Sequence, residues 1–136
     1  MGNQMLDCLI IGDSIAVGVS QIRHECPAIA KSGINSTDWK KQHLNKLPVS
    51  KVTIISLGSN DWDKKTSDNL LDIRKKIAGK VYWILPSPTR KPKERNVVIQ
   101  IATEYNDIII DRPQQMSPDG IHPTYNGYKE LAEKTK

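Results

Sequence analysis

The chain has 136 residues, 38% of them hydrophobic, and its 20 Lys and Arg outnumber its 15 Asp and Glu to give a formal net charge of +5. That length can bury one ordinary core and suits a single domain over residues 1–136. The apolar runs are short, regular and separated by turn residues, which excludes a disordered chain, and none is long enough to cross a membrane.

Several broad classes fall away on the same grounds. Phe is absent, so the core is expected to be aliphatic. The lysines are scattered rather than gathered into a stripe, aromatics are few and no RNA- or DNA-binding motif is present, so no nucleic-acid partner is expected. The first residues lack the basic start and long apolar stretch of a signal peptide. The default expectation is therefore a cytoplasmic protein, with export by another route left open. Cys8 lies in an apolar run and reads as a small core residue. With Cys26 as its only companion and no Cys-x-x-Cys pair, neither a disulfide framework nor a zinc site follows. No metal and no cofactor are expected, because no metal motif, no Walker lysine and no dinucleotide glycine fingerprint appears.

In chain order, Leu6 to Ile11 is an apolar run ending at Gly12 and predicts a buried first strand. Ser14 to His24 carries Ile15, Val19 and Ile22 at helical spacing. Ala28 to Gly33 predicts a shorter second strand. Ser36 or Thr37 then caps a helix through Trp39 and His43 to Leu47, stopped by Pro48. Val52 to Leu57 is β-branched and predicts the third strand. A helix capped near Ser67 follows, with Leu70, Leu71, Ile73 and Ile77 inward and Gly79 as its stop. Val81 to Leu85 is the fourth strand, Ser87 to Arg95 a polar proline-rich segment, and Val97 to Tyr105 a helix. Ile108 to Ile110 is the fifth strand, and Tyr125 to Lys134 the final helix.

Apolar strands alternating with helices imply a three-layer α/β/α fold with a parallel sheet, doubly wound in the order 2-1-3-4-5. Every loop that follows a strand then opens on one edge of the sheet, where such folds bind ligands. Gly12-Asp13-Ser14 follows the first strand, Ser32-Gly33 the second and Gly58-Ser59-Asn60-Asp61 the third. Asp119-Gly120-Ile121-His122-Pro123-Thr124 comes after the fifth.

In the last of these loops an acid precedes a histidine by three residues. Asp-Gly favours a turn and Pro123 pins the backbone beside His122. An Asp and a His held so can pair through one ring nitrogen, leaving the other as a base; alone, the loop could equally be a rigid entrance to the final helix. Ser14 could likewise be a plain helix cap and Asn60 a plain turn residue. Gathered at one edge, however, they supply a hydroxyl, amide donors, an acid and a base.

The set resembles the SGNH hydrolases, also called GDSL esterases and lipases. Its markers are a Ser in Gly-Asp-Ser, a Gly after strand two, an Asn in Gly-x-Asn-Asp and a His in Asp-x-x-His. They match Ser14, Gly33, Asn60 and His122 over residues 12–122, with Asp119 completing a triad. The resemblance implies a flavodoxin-like SGNH fold and a serine esterase acting through an acyl-Ser14 intermediate. Ser14 would be the nucleophile, His122 the base and Asp119 its orienting partner. The N–H groups of Ser14 and Gly33 and the amide of Asn60 would form the oxyanion hole. It also implies carboxylic esters, with acetyl groups on carbohydrate foremost and lipids or thioesters as alternatives. An α/β-hydrolase is disfavoured because Ala16 stands where Gly-x-Ser-x-Gly needs glycine.

Around this set, Asp13 and Asp61 are expected to hold their turns through side-chain bonds to backbone, with Asp13 also counted at the substrate site. Trp62 either lines the acyl pocket or packs on the surface. His24 and His43 lie on helices without partner ligands. The absence of a long insertion favours an open cleft and a short acyl group. A competing reading is an inactive SGNH-fold carbohydrate-binding module. The partner expected is a small-molecule or carbohydrate ester; the alcohol, the acyl length and the oligomeric state are not legible. Arg90, Lys91, Lys93 and Arg95 could attract an anionic substrate, or could be solvated charges alone.

Overall fold

A computed structural model describes residues 5–136. Five parallel strands form one sheet in the order β2-β1-β3-β4-β5. They are β1 (Leu9–Gly12), β2 (Ala28–Ala30), β3 (Val52–Ser56), β4 (Lys80–Ile84) and β5 (Ile108–Ile110). Between and after them run α1 (Ser14–Ser20), α2 (Ser36–His43), α3 (Thr66–Lys75), α4 (Pro92–Glu104) and α5 (Tyr125–Lys134). The expected α/β architecture and strand order are both present.

Strict alternation divides the sheet residues between two cores. Leu9, Ile11, Ile55, Val81 and Trp83 face a core completed by Trp39 of α2, Leu70 and Ile73 of α3, and Val98 and Ile101 of α4. Cys8, Ile10, Ile54, Tyr82 and Ile84 face the other, closed by Ile15 and Val19 of α1 and Leu131 of α5. Because both faces are covered, the central strands are apolar at consecutive positions, as a parallel sheet requires. β5 is an edge strand, and Ile108 and Ile109 are each 37% exposed.

Several element boundaries differ from the sequence expectation. β1 begins at Leu9; Leu6 forms only an isolated bridge to Ser50. α1 stops at Ser20, well before His24. The cap of α2 is Asn35, whose side chain accepts from the Asp38 N–H, while Ser36 is buried and bonded to Asp61. α3 begins at Thr66 with no side-chain cap. In it Leu70 and Ile73 are buried, whereas Leu71 and Ile77 are only partly so. α4 starts at Pro92, a residue suited to the first helical turn, so half of the expected polar segment is helix.

The cysteines also correct the sequence reading. Cys8 and Cys26 form a disulfide spanning 18 residues, tying the start of β1 to the segment just before β2. Both are buried in the α1–α5 core, which brings together two residues that sequence spacing alone does not pair.

Gly12 sets the position of everything that follows β1. It has φ of +139°, and a Cβ there would lie 1.8 Å from the Ser56 carbonyl oxygen. Only glycine allows β1 to end this close to β3. Asp13 then donates its N–H to the same carbonyl at 2.9 Å. The turn carrying Ser14 is thereby fixed between β1 and β3, the point where the strand order reverses and ligand clefts form in doubly wound sheets.

Candidate active site

Ser14 opens α1, and the preceding Asp13 caps that helix by accepting the Ile15 N–H at 3.1 Å. Asp13 also accepts the Ser56 hydroxyl at 2.9 Å, while its Oδ2 is buried without a hydrogen-bonding partner among the described residues. Burial pushes its carboxyl up to about 6, against the opposing effects of the Ser56 hydroxyl and neighbouring backbone N–H groups. Asp13 borders the floor of the cleft, yet only 1% of its surface is exposed. Its bonds are those of a turn-holding residue at the floor of the cleft.

The loop before α5 brings the histidine to that turn. The Ser117 N–H bonds the His122 carbonyl at 2.7 Å, and the Thr124 N–H bonds that of Gln115 at 3.1 Å. Thr124 then caps α5 by accepting the Gly127 N–H. Within the loop, Asp119 Oδ1 accepts the N–H groups of Ile121 and His122 at 2.8 and 3.0 Å. Its Oδ2 lies 3.0 Å from His122 Nδ1. The bond to the imidazole, then those two N–H groups, hold the Asp119 carboxyl well below the usual carboxylate range. An ionised Asp119 therefore accepts from Nδ1–H, which leaves Nε2 as an acceptor. Nε2 lies 2.9 Å from Ser14 Oγ, across 108 residues of chain. Hydroxyl, imidazole and carboxylate form one hydrogen-bonded series, an arrangement that can take a proton from the hydroxyl.

The remaining expected donors surround the same cleft, which has a volume of about 880 Å³. Gly33 has φ of +81°, and a Cβ placed on it would meet nothing within 4 Å, so its backbone faces open space. Neither its N–H nor that of Ser14, at the start of α1, bonds a backbone carbonyl among the described residues. Asn60 donates from Nδ2 to the Ile34 carbonyl at 3.1 Å, which links its loop to the Gly33 loop and leaves the second amide hydrogen uncommitted. Beneath it Asp61, 2% exposed, accepts the Ser36 N–H and the hydroxyls of Ser36 and Thr66. That agrees with a turn-holding role and extends it to the starts of α2 and α3.

Trp62 borders the cleft and is 89% exposed, with Lys91 Nζ 3.8 Å from its ring centre. Of the four basic residues between Ser87 and Arg95, Arg90 and Lys91 line the cleft. Arg95 instead forks onto Asp111, and Lys93 does not reach the lining. Arg112 also lines the cleft and was not singled out from the sequence. Its position just after β5 puts it on the edge where all the strand-following loops emerge, which was the available signal. His24 is exposed beyond α1, and the His43 ring leans against Trp39.

A Streptococcus pneumoniae peptidoglycan O-acetyltransferase A C-terminal catalytic domain, carrying a methylsulfonyl adduct, matches at a TM-score of 0.64 and 17% identity, covering 95% of this chain and 89% of that one. A protein from Bacteroides ovatus described as a GDSL-like lipase matches at 0.66 and 16% identity, covering 96% of both chains. The fold is that of the SGNH hydrolases. Neither a protein-family model nor a curated protein sequence matches the chain, so the likeness rests on structure. Within the SGNH fold, Ser14 stands at the β1–α1 turn, Gly33 after β2, Asn60 after β3 and His122 before α5.

Proposed function

We propose that the protein is a serine ester hydrolase that removes short acyl groups, acetyl foremost, from an alcohol, with carbohydrate the favoured carrier. The observation that carries this reading is the continuous series from Ser14 Oγ through His122 to Asp119 at the edge of a large cleft.

The geometry supports the following chemistry. Ser14 Oγ attacks the ester carbonyl carbon while its proton passes to His122 Nε2, and Asp119 stabilises the imidazolium through Nδ1–H. The carbonyl oxygen becomes an oxyanion, for which the N–H groups of Ser14 and Gly33 and the free amide hydrogen of Asn60 are the donors. Collapse expels the alcohol, which takes the proton from Nε2 and leaves an acyl-Ser14. Water then attacks the acyl carbon, giving its proton to His122, and a second collapse returns Ser14 and releases the carboxylic acid. No metal or organic cofactor enters this scheme. Ile15, Leu85 and Trp62 give the cleft apolar surface for an acyl group, while the loops around it supply polar groups for an alcohol.

The inactive binding module is disfavoured because a protein that only binds needs no imidazole placed between a hydroxyl and a carboxylate. A lipid or thioester substrate stays within the same chemistry and differs only in what fills the cleft. The Cys8–Cys26 disulfide favours an oxidising compartment over the cytoplasmic expectation, and no helix among the described residues is long and apolar enough to cross a membrane. Turnover of a small activated acetyl ester by the purified protein, set beside the Ser14→Ala variant, tests the proposal.

A further inference from the structure

The charges of the cleft are one-sided. Arg90, Lys91 and Arg112 line it together with Ser14, and Asp13, the one acid in that lining among the described residues, is buried. None of the three cations forms a salt bridge among the described residues. Elsewhere the arginines meet carboxylates: Arg74 with Asp107, Arg95 with Asp111, Arg23 with Glu25. Asp111, next to Arg112 in the chain, and Asp119, whose carbonyl Arg90 contacts, have carboxylates that are already engaged. Asp111 gives both oxygens to Arg95, and Asp119 gives both to His122 and its own loop.

Arg90 and Arg112 are held instead by backbone carbonyls of consecutive residues. Arg90 Nη2 donates to the Asp119 carbonyl at 3.2 Å, and Arg112 Nη2 donates to that of Gly120. Each spends one N–H on that bond and keeps the rest of its fork. Two guanidiniums fixed on adjacent carbonyls repel each other in the absence of an anion, and such forks match carboxylate geometry. Lys91 belongs to a different part of the cleft, because its Nζ bonds the Asp61 carbonyl at 2.6 Å and lies over Trp62.

The position of the two arginines assigns the half of the substrate they would meet. Both hold the loop of His122, the group that returns a proton to the departing alkoxide. Gly33 and Asn60, the oxyanion donors, come from the loops after β2 and β3. We propose that Arg90 and Arg112 form a carboxylate-binding subsite for the alcohol half of the ester, so that the preferred substrates are acetyl esters of carboxylate-bearing alcohols such as sugar acids. The side assigned to the carboxylate rests on the reading of Ser14 as nucleophile and His122 as proton donor.

Two measurements separate the subsite from that reading. The first compares kcat/KM for 4-acetoxybenzoate and 4-acetoxybenzamide, which differ in the charge on the alcohol half. The unmutated protein should favour the carboxylate by about tenfold or more, the worth of one charged hydrogen bond. Arg90→Gln and Arg112→Gln should each reduce that ratio toward one, whatever they do to the absolute rates through the His122 loop. The second measures binding of the same two esters to Ser14→Ala by calorimetry, so it reads the subsite whether or not the protein turns over. The carboxylate should bind more tightly, with the advantage lost in Ser14→Ala/Arg90→Gln and shrinking as salt rises. Equal binding of the two esters to Ser14→Ala, or a preference unchanged by either arginine substitution, would overturn the subsite. Tight, arginine-dependent binding of the carboxylate without turnover in the unmutated protein would support the subsite and sink the hydrolase reading alone.

Discussion

Asp61 accepts two hydrogen bonds from Ser36, at 2.7 Å from its N–H and 2.5 Å from its hydroxyl, across 25 residues of chain. With the Thr66 hydroxyl at 2.6 Å, this one buried carboxylate joins the loop after β3 to the starts of α2 and α3. The loop it fixes also carries Asn60. Asp61→Ala should therefore cost about 3 kcal/mol of stability by orphaning buried donors. It should also lower kcat on an acetyl ester through Asn60 while KM changes little. Denaturant unfolding and steady-state kinetics on the same preparation check both, and loss of stability with kcat untouched would confine Asp61 to the fold.

Asn60 itself should contribute one oxyanion donor. Asn60→Ala is expected to lower kcat by roughly 10²-fold with KM nearly constant, the effect of losing a donor used mainly in the transition state. A change in KM alone would make Asn60 a ground-state contact.

Asp13 predicts a pH dependence of stability. Burial pushes its carboxyl up to about 6 from an ordinary 3.8, so the folded state holds the proton more tightly than the unfolded state. Below pH 4 both states are protonated and the shift has no effect on stability. Stability is lost as pH rises through the interval up to 6, approaching about 3 kcal/mol above it. Asp13→Asn removes this titration, so its stability relative to the unmutated protein should climb between pH 4 and 6 and then level off. A difference constant from pH 4 to 8 would contradict the buried, raised carboxyl.

The disulfide is expected to act through the unfolded chain. Closing 18 residues between Cys8 and Cys26 should be worth about 3 kcal/mol in the loop-entropy account. The Cys8→Ala/Cys26→Ala variant should lose that much in denaturant unfolding, and adding reductant should change the unmutated protein but not the variant. Ester turnover below the melting range should stay the same in both. Equal midpoints for the two proteins would remove the disulfide from the stability account.

The parts of this fold legible in the sequence were those written in local pattern. The apolar run Val52–Ser56 and the triplet Ile108–Ile110 are strands because β-branched side chains suit a covered sheet. Ser14, Gly33 and Asn60 follow strands in short turn motifs, Asp119 and His122 share the Asp-x-x-His loop before α5, and the set stood out through its resemblance to the SGNH motifs. Pairings across long stretches of chain were not legible. Cys8 with Cys26, Asp61 with Ser36, and Arg112 with the Gly120 carbonyl leave no trace in spacing. The cap of α2 lies at Asn35, one or two residues before the expected Ser36 or Thr37, because all three are good caps and Ser36 is buried against Asp61 instead.

The central claim is that Ser14 and His122 act as one unit in ester cleavage, and a double-mutant comparison on a small activated acetyl ester tests it most directly. Ser14→Ala and His122→Ala should each lower kcat by about 10⁴-fold or more while the fold survives, and the double variant should be little worse than either. Turnover in Ser14→Ala equal to that of the unmutated protein, or losses that add across the pair, would contradict the account.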